Sequence, residues 1–359
     1  MSAVFSVLIL FMATLTIAHK TYAAPSLRNV KGPILVTGSA GFIGFHTAKA
    51  LLDLGFTVVG VDNLNPYYDV RIKEDRLAIL KHYSTFSFYQ EDLSHREAIE
   101  ALFAKYRFAH LIHLAAQAGV RYSLTHPFSY LKSNIDAFLV LLEQARHEAD
   151  FQHIVYASSS SVYGMNAMPF SEEDSVDLPM SLYAVTKRSN ELMAQSYFHL
   201  YKIPITGLRF FTVYGPWGRP DMAAFKFVKA ICAHEPIDVY NYGHMARDYT
   251  FVGDTVCGIL GALATPPTPL AQSLQPKHPI FNLGNNKLET LSYFIEVLER
   301  HLGKKSVKNM MPIQPGDVPQ TAADIKKAQT AFGYSPATSI DDGLKLFVDW
   351  YKEYYQPSH

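Results

Sequence analysis

A doubly wound parallel α/β sheet with a smaller α/β lobe is the fold class this sequence predicts, on three observations. Pro33-Ile34-Leu35-Val36-Thr37 is a short apolar β-type run that passes at once into Gly38-Ser39-Ala40-Gly41-Phe42-Ile43-Gly44, then into a helical stretch over 46–54. In that context glycines let the backbone approach a pyrophosphate at a helix N-terminus. A second apolar run, 57–61, ends at Asp62, about where such turns are followed by a ribose-binding acid. Short apolar runs then alternate with helical stretches as far as residue 211, the order of strands joined by crossover helices.

The 359 residues can hold two modest domains or one large α/β domain with an attached lobe. A hydrophobic content of 48% with 18% charged residues is that of a compact globular protein. Basic and acidic residues balance at 32 each, so no basic footprint exists and nucleic acid is not an expected partner. Cys232 and Cys257 stand far apart and read as small buried apolar residues, not as a redox motif or a disulfide scaffold. No metal-ligand cluster is visible, so no metal is expected. Residues 3–18 are almost unbroken apolar sequence, followed by Lys20 and the small-x-small run Thr21-Tyr22-Ala23. A cleaved signal, an uncleaved membrane anchor and a misassigned start remain three open readings. Residues 1–30 are therefore set apart from a sheet domain over 31–211 and a substrate lobe over 212–355, from which the chain crosses back to the sheet.

After Asp62, Asn63-Leu64-Asn65-Pro66-Tyr67-Tyr68-Asp69 is a turn-rich loop before a helix over 71–82. The third strand spans 86–90 and is closed by Asp92-Leu93, a helix covers 98–106, and the fourth strand covers 110–114. His113, inside that apolar strand, reads as a satisfied core histidine. Ala115-Ala116-Gln117-Ala118-Gly119-Val120-Arg121 follows, its small residues suited to close backbone approach. A long helix over 130–147 carries an apolar stripe, Ile135, Phe138, Leu139 and Leu142, which covers either its own sheet or a second copy of the chain. Further strands are expected over 154–156, 204–211 and 237–240, and a helix over 223–233. A proline-rich exposed loop spans 265–279.

The chemistry sits between 157 and 187. Ala157-Ser158-Ser159-Ser160-Ser161-Val162-Tyr163-Gly164 follows the fifth strand, so its hydroxyls lie at the carboxyl end that faces the ligand crevice. Tyr183 and Lys187 open a helix over 183–201, and their four-residue spacing puts them on one face. An ammonium beside a phenol favours the phenolate, so Tyr183 is expected to act as a base well below its free pKa of about 10. A serine hydroxyl opposite would orient a substrate hydroxyl for that transfer.

The spacing Gly38-x-x-Gly41-x-x-Gly44, the serine run and Tyr183-x-x-x-Lys187 together resemble the extended short-chain dehydrogenase/reductase family, the nucleotide-sugar epimerases and dehydratases. The resemblance covers nearly everything after Lys31. It implies a Rossmann-type fold, tightly held NAD, a UDP-sugar substrate, a homodimer and a cytoplasmic location, with possible membrane attachment through the first residues. Ser159, Tyr183 and Lys187 would be catalytic. NAD would lie against Gly38, Gly41, Phe42, Ile43, Gly44, Asp62, Asn63, Asp92, Leu93, Ala115, Ala116 and Gln117, and against Tyr183 and Lys187. Asp62 followed by Asn63, not arginine, favours NAD over NADP, although Asp62 also reads as a turn residue. The substrate would meet Arg121, Ser160, Ser161, Thr212, Arg219, Tyr240, Arg247 and Asp317, with Arg247 on the diphosphate.

Within the family, 4,6-dehydratases follow the hydroxyl residue with Asp-Glu, and glucuronate decarboxylases carry glutamate at the place of Ser161. Ser160 and Ser161 offer neither acid. Arg209-Phe210-Phe211-Thr212-Val213-Tyr214-Gly215-Pro216 with Arg219-Pro220-Asp221-Met222-Ala223 resembles the UDP-glucuronate 4-epimerases, and glucose/galactose epimerases usually have asparagine in place of Thr212. Trp217-Gly218 departs from relatives that carry longer polar side chains there. A neutral-sugar epimerase, a UDP-glucuronate decarboxylase and a non-catalytic NAD-binding sensor are the alternative readings.

Overall fold

The computed structural model describes residues 26–268 and 277–355. The apolar start, residues 1–25, lies outside them, and with it the choice among signal, anchor and start-site error. Among the described residues no helix is long and apolar enough to cross a membrane. Leu27 and Val30, inside the segment set apart above, pack into the core.

The first strand, β1 (Ile34–Thr37), leads through the glycine turn into α1 (Phe42–Asp53), which starts at Phe42, earlier than the expected 46. There follow β2 (Val58–Val61), α2 (Arg71–Leu80), β3 (Phe86–Tyr89), α3 (Arg96–Tyr106) and β4 (His110–His113). The expected helix over 130–147 is interrupted. A π-helical turn, Leu131–Asp136, precedes α4 (Ala137–His147), because Asn134 is drawn inward to bond the backbone of Gln117. The chain continues through β5 (His153–Ser159), α5 (Leu182–Tyr201) and β6 (Ile205–Phe210). It then builds α6 (Ala223–Cys232) and α7 (Val252–Ala264), and returns to the sheet as β7 (Ile280–Leu283). Last come α8 (Leu291–Leu302), α9 (Lys326–Phe332) and α10 (Ile340–Tyr355).

The seven strands are all parallel, in the order β7-β6-β5-β4-β1-β2-β3. Ile34 pairs with Val58 on one side and with His110 on the other, so the order reverses at β1. Such a switch point opens a crevice beyond the carboxyl ends of the strands. Both faces are buried, as a parallel sheet requires. Ile34 and Val36 point into one core with Phe45 and Leu51 of α1, while Leu35 points into the other with Phe138 and Leu142 of α4 and Phe198 of α5. The expected stripe on α4 therefore divides: Phe138 and Leu142 cover the sheet, whereas Leu139 is exposed.

Beyond β6 the lobe is held by aromatic packing. Tyr249 stacks on Phe294 of α8 at 4.4 Å, and Trp217 meets Trp350 of α10 at 5.4 Å. Each such side chain contributes roughly 1.5–3 kcal/mol on burial. Trp217 has a φ of 60° and lies against Phe45, so the departure noted at this position serves the core.

Candidate active site

The crevice at the switch point is a cavity of about 810 Å³ between sheet and lobe, and every site residue named from the sequence lines it. That volume lies within the usual range for small-molecule sites. At one end the glycine turn leaves no space for side chains. A Cβ on Gly44 would fall 2.0 Å from the Gly38 carbonyl oxygen, one on Gly41 2.9 Å from it, and Gly38 itself has a φ of 70° with Ala115 N at 2.8 Å from a Cβ. Gly41 caps α1 without a side chain, so the helix start is presented bare to the cavity. Asp62 accepts from Ala40 N at 3.2 Å and from Leu64 N at 2.9 Å. It is thus a turn residue, and it also lines the cavity. Asp92 accepts from Ser94 and pairs with Lys132 at 3.0 Å. A bare turn, a helix start and a carboxylate at the second strand end fit a dinucleotide.

Ser159 ends β5 in extended backbone, and its Oγ accepts from Ser161 N at 3.1 Å, turning the chain into a 3₁₀ turn over Ser160–Tyr163. Ser181 N-caps α5 by accepting from Ala184 N at 3.2 Å, which sets where Tyr183 emerges. The expected effect of Lys187 on Tyr183 needs correction. Lys187 Nζ donates to the Ala157 carbonyl at 2.9 Å, and burial pulls its pKa down to about 8, against which Glu191 acts. Burial raises the Tyr183 pKa above 10, while hydrogen bonding to Ser159 and the charge of Arg219 draw it down. The groups that favour its phenolate are Ser159 and Arg219. Desolvation outweighs them because it acts on the whole anion. His113 behaves as expected of a core residue. It bonds Thr37 Oγ1 at 2.8 Å, and burial lowers its pKa to about 3.

Behind the serines, Ser158 donates to Glu191 at 2.7 Å, and Glu191 takes the Arg209 fork at 2.8 and 2.9 Å. Burial alone would raise the Glu191 pKa, but that fork holds it below the usual carboxylate range. This pair, one helical turn beyond Lys187, fastens α5 to β5 and β6. It was not singled out in the sequence, where Glu191 reads as an ordinary helix residue.

Among the predicted substrate residues, Arg121, Asp317 and Tyr240 partner one another. Arg121 pairs with Asp317 at 2.9 Å and lies over the Tyr240 ring at 4.8 Å, so sheet domain and lobe touch across the mouth. Arg247 donates to the carbonyls of Ala246 and Pro319 at 3.0 and 2.9 Å. Burial lowers its pKa, and it has no carboxylate partner among the described residues. Ser160, Ser161 and Thr212 line the same cavity as Tyr183. The Arg219 fork is taken by Asp221, a residue the sequence showed only as part of a run.

The family model described as GDP-mannose 4,6 dehydratase matches residues 35–347. The chain belongs to this family. Among members of the extended short-chain dehydrogenase/reductase family, it is 45% identical over 336 residues to a protein of Rhizobium meliloti named probable UDP-glucuronate 4-epimerase, covering 90% of this chain and 98% of that one. UDP-glucuronate 4-epimerase 2 of Arabidopsis thaliana is 46% identical over 332 residues, covering 90% and 76%. UDP-glucuronic acid 4-epimerase of Bacillus cereus, solved with UDP-glucuronic acid and NAD, superposes with a TM-score of 0.82 at 35% identity, over 90% of this chain and all of that one.

Proposed function

We propose that this member of the family is an NAD-dependent isomerase that epimerises UDP-glucuronate at C4 to UDP-galacturonate through a 4-keto sugar. One observation carries the reading: the cavity that holds Tyr183 is also lined by the hydroxyls of Ser160, Ser161 and Thr212 and by the guanidinium of Arg219, a donor set for a carboxylate. The relatives named for this activity support it.

Bound NAD supplies the group that oxidises and then reduces C4. The glycine turn, Asp62 and Lys187 would hold it, and Tyr183, whose phenolate Ser159 and Arg219 favour, would take the proton of the 4-hydroxyl while Ser159 shares that hydrogen bond. Arg247 and Arg121 grip the diphosphate, and the sugar turns about that link to present its other face. Oxidation at C4 makes a β-keto acid, which loses carbon dioxide when its carboxylate bond stands perpendicular to the ketone plane. Arg219 and the three hydroxyls keep the carboxylate out of that alignment.

The enzyme is assigned to the cytoplasm, where NAD and UDP-sugars are supplied, with 31–211 as the cofactor domain and 212–355 as the substrate lobe. It pairs as a homodimer through the outer faces of α4 and α5. Leu139 on the first and Leu131 in the π-helical turn before it, with Val185, Leu192 and Leu200 on the second, are exposed apolar side chains.

Purified protein incubated with UDP-glucuronate and followed by NMR is expected to form UDP-galacturonate without UDP-xylose, and to turn over UDP-glucose poorly. Tyr183→Phe is expected to lower the rate by roughly a hundred- to ten-thousandfold. UDP-xylose as the main product would make the protein a decarboxylase, and an equal rate on UDP-glucose would make it a neutral-sugar epimerase.

A further inference from the structure

Asp221 is an acid in a cavity built for an acid. Its carboxylate takes Arg219 Nε at 3.0 Å on Oδ1 and Nη2 at 2.5 Å on Oδ2, and Oδ2 also accepts the Tyr67 hydroxyl at 3.1 Å. Arg219 and Asp221 are both largely buried, and all three residues line the cavity. Tyr67 comes from the loop after β2 and Asp221 from the lobe, so the contact crosses the crevice. Gly119 lies beneath it with a φ of 107°. A Cβ there would stand 3.2 Å from the Tyr67 hydroxyl and 3.9 Å from Arg219 Nη2.

A guanidinium is planar and offers five N–H groups along fixed edges. Asp221 uses the Nε–Nη2 edge, and Nη1 makes no hydrogen bond among the described residues. The Nη1–Nη2 end therefore stays available to a second carboxylate in the same plane. The charges matter as much as the geometry. Arg219 alone would leave a buried cation unpaired whenever the sugar is neutral or absent, which is costly. With Asp221 the pair is neutral, so net charge does not read the sugar; the orientation of the remaining N–H groups does.

We propose that Asp221 is a positioning residue for carboxylate recognition: anchored by Tyr67, it holds one edge of Arg219 and so directs the other at the sugar acid. This rests on the epimerase reading above. It explains how an arginine already in a salt bridge still selects an acidic sugar. It also makes the fixed guanidinium, not the mere presence of a cation, the element that holds the carboxylate away from the decarboxylating alignment.

The test compares wild type, Asp221→Asn, Tyr67→Phe and Arg219→Ala on UDP-glucuronate and UDP-glucose, with NAD content and melting temperature recorded for each. Asp221→Asn is expected to lower kcat/KM on the acid by roughly ten- to a hundredfold relative to the neutral sugar, the scale of losing a charge-assisted hydrogen bond. Both it and Arg219→Ala are expected to release UDP-xylose. Tyr67→Phe moves both readouts in the same direction by less, and carries the test alone if Asp221→Asn fails to fold. Equal losses on both sugars would overturn the proposal by reducing Asp221 to a structural residue. A lower KM for the acid without pentose release would overturn it by showing that Asp221 competes with the substrate. Wild type that leaves UDP-glucuronate unchanged would instead sink the epimerase reading, and this proposal with it.

Discussion

Lys187 shows what a single residue can and cannot reveal before its surroundings are known. Its place one turn after Tyr183 was legible from spacing alone, and both residues line the cavity. Its electrostatic role was not, because burial depends on strands far away in sequence: the Nζ is spent on the Ala157 carbonyl of β5. The folded pKa is depressed to about 8 from 10.5, so below pH 8 the folded chain carries a charged lysine at a cost. Between pH 8 and 10.5 the unfolded chain binds more protons than the folded one, and this residue's contribution to stability improves as pH rises. Lys187→Met removes the cost at every pH. Its advantage over wild type in urea midpoint should be large at pH 7.5 and shrink at pH 9.5. A gap that stays constant would show that Lys187 is not buried as a cation.

Elements were legible where one local pattern dominates. The turn between β1 and α1 is such a case, since three glycines in seven residues have few other uses, and the structure shows each of them closed against backbone. Gly44→Ala would drive a methyl to 2.0 Å from the Gly38 carbonyl, which must displace the turn. The expected outcome is purified protein without NAD and a clear loss of stability, read by cofactor absorbance and melting temperature. Retention of NAD at the wild-type level would show that the turn yields elsewhere. The helix over 130–147 was less legible. Its apolar periodicity runs on through residues 131–136, but Asn134 is claimed by Gln117 and by Thr186 of α5, and the backbone widens to deliver it. That demand is tertiary and leaves no mark on the local pattern. The Arg209–Glu191 pair escaped notice for the same reason, since its partners are brought together only when α5 docks across β6.

For the molecule as a whole, the doubly wound order followed from the alternation of strand and helix, while the contacts across the crevice did not. Arg121 with Asp317 and Tyr67 with Asp221 join segments more than 150 residues apart, beyond the reach of any periodicity. The quaternary expectation is tested on the exposed stripe of α5. Val185 and Leu192 are seven residues apart and share a face, 41% and 55% exposed. Leu192→Glu should convert a dimer to a monomer in light scattering while leaving the fold intact, because more than half of the side chain is exposed. An unchanged mass, or a wild type that is already monomeric, would reject this interface.

Arg76 of α2 joins the glycine turn to the loop ahead of Arg219. It is fully buried, and it donates to the Ala40 carbonyl at 2.8 Å and to the Trp217 carbonyl at 2.5 Å. The first carbonyl belongs to the glycine turn, the second to the loop that delivers Arg219 two residues later. One flat, rigid side chain from α2 thus acts as a rivet through the glycine turn and the loop ahead of Arg219. If the turn holds the nucleotide and Arg219 the sugar acid, as proposed, slack at the first should reach the second, so emptying the one should loosen the grip of the other.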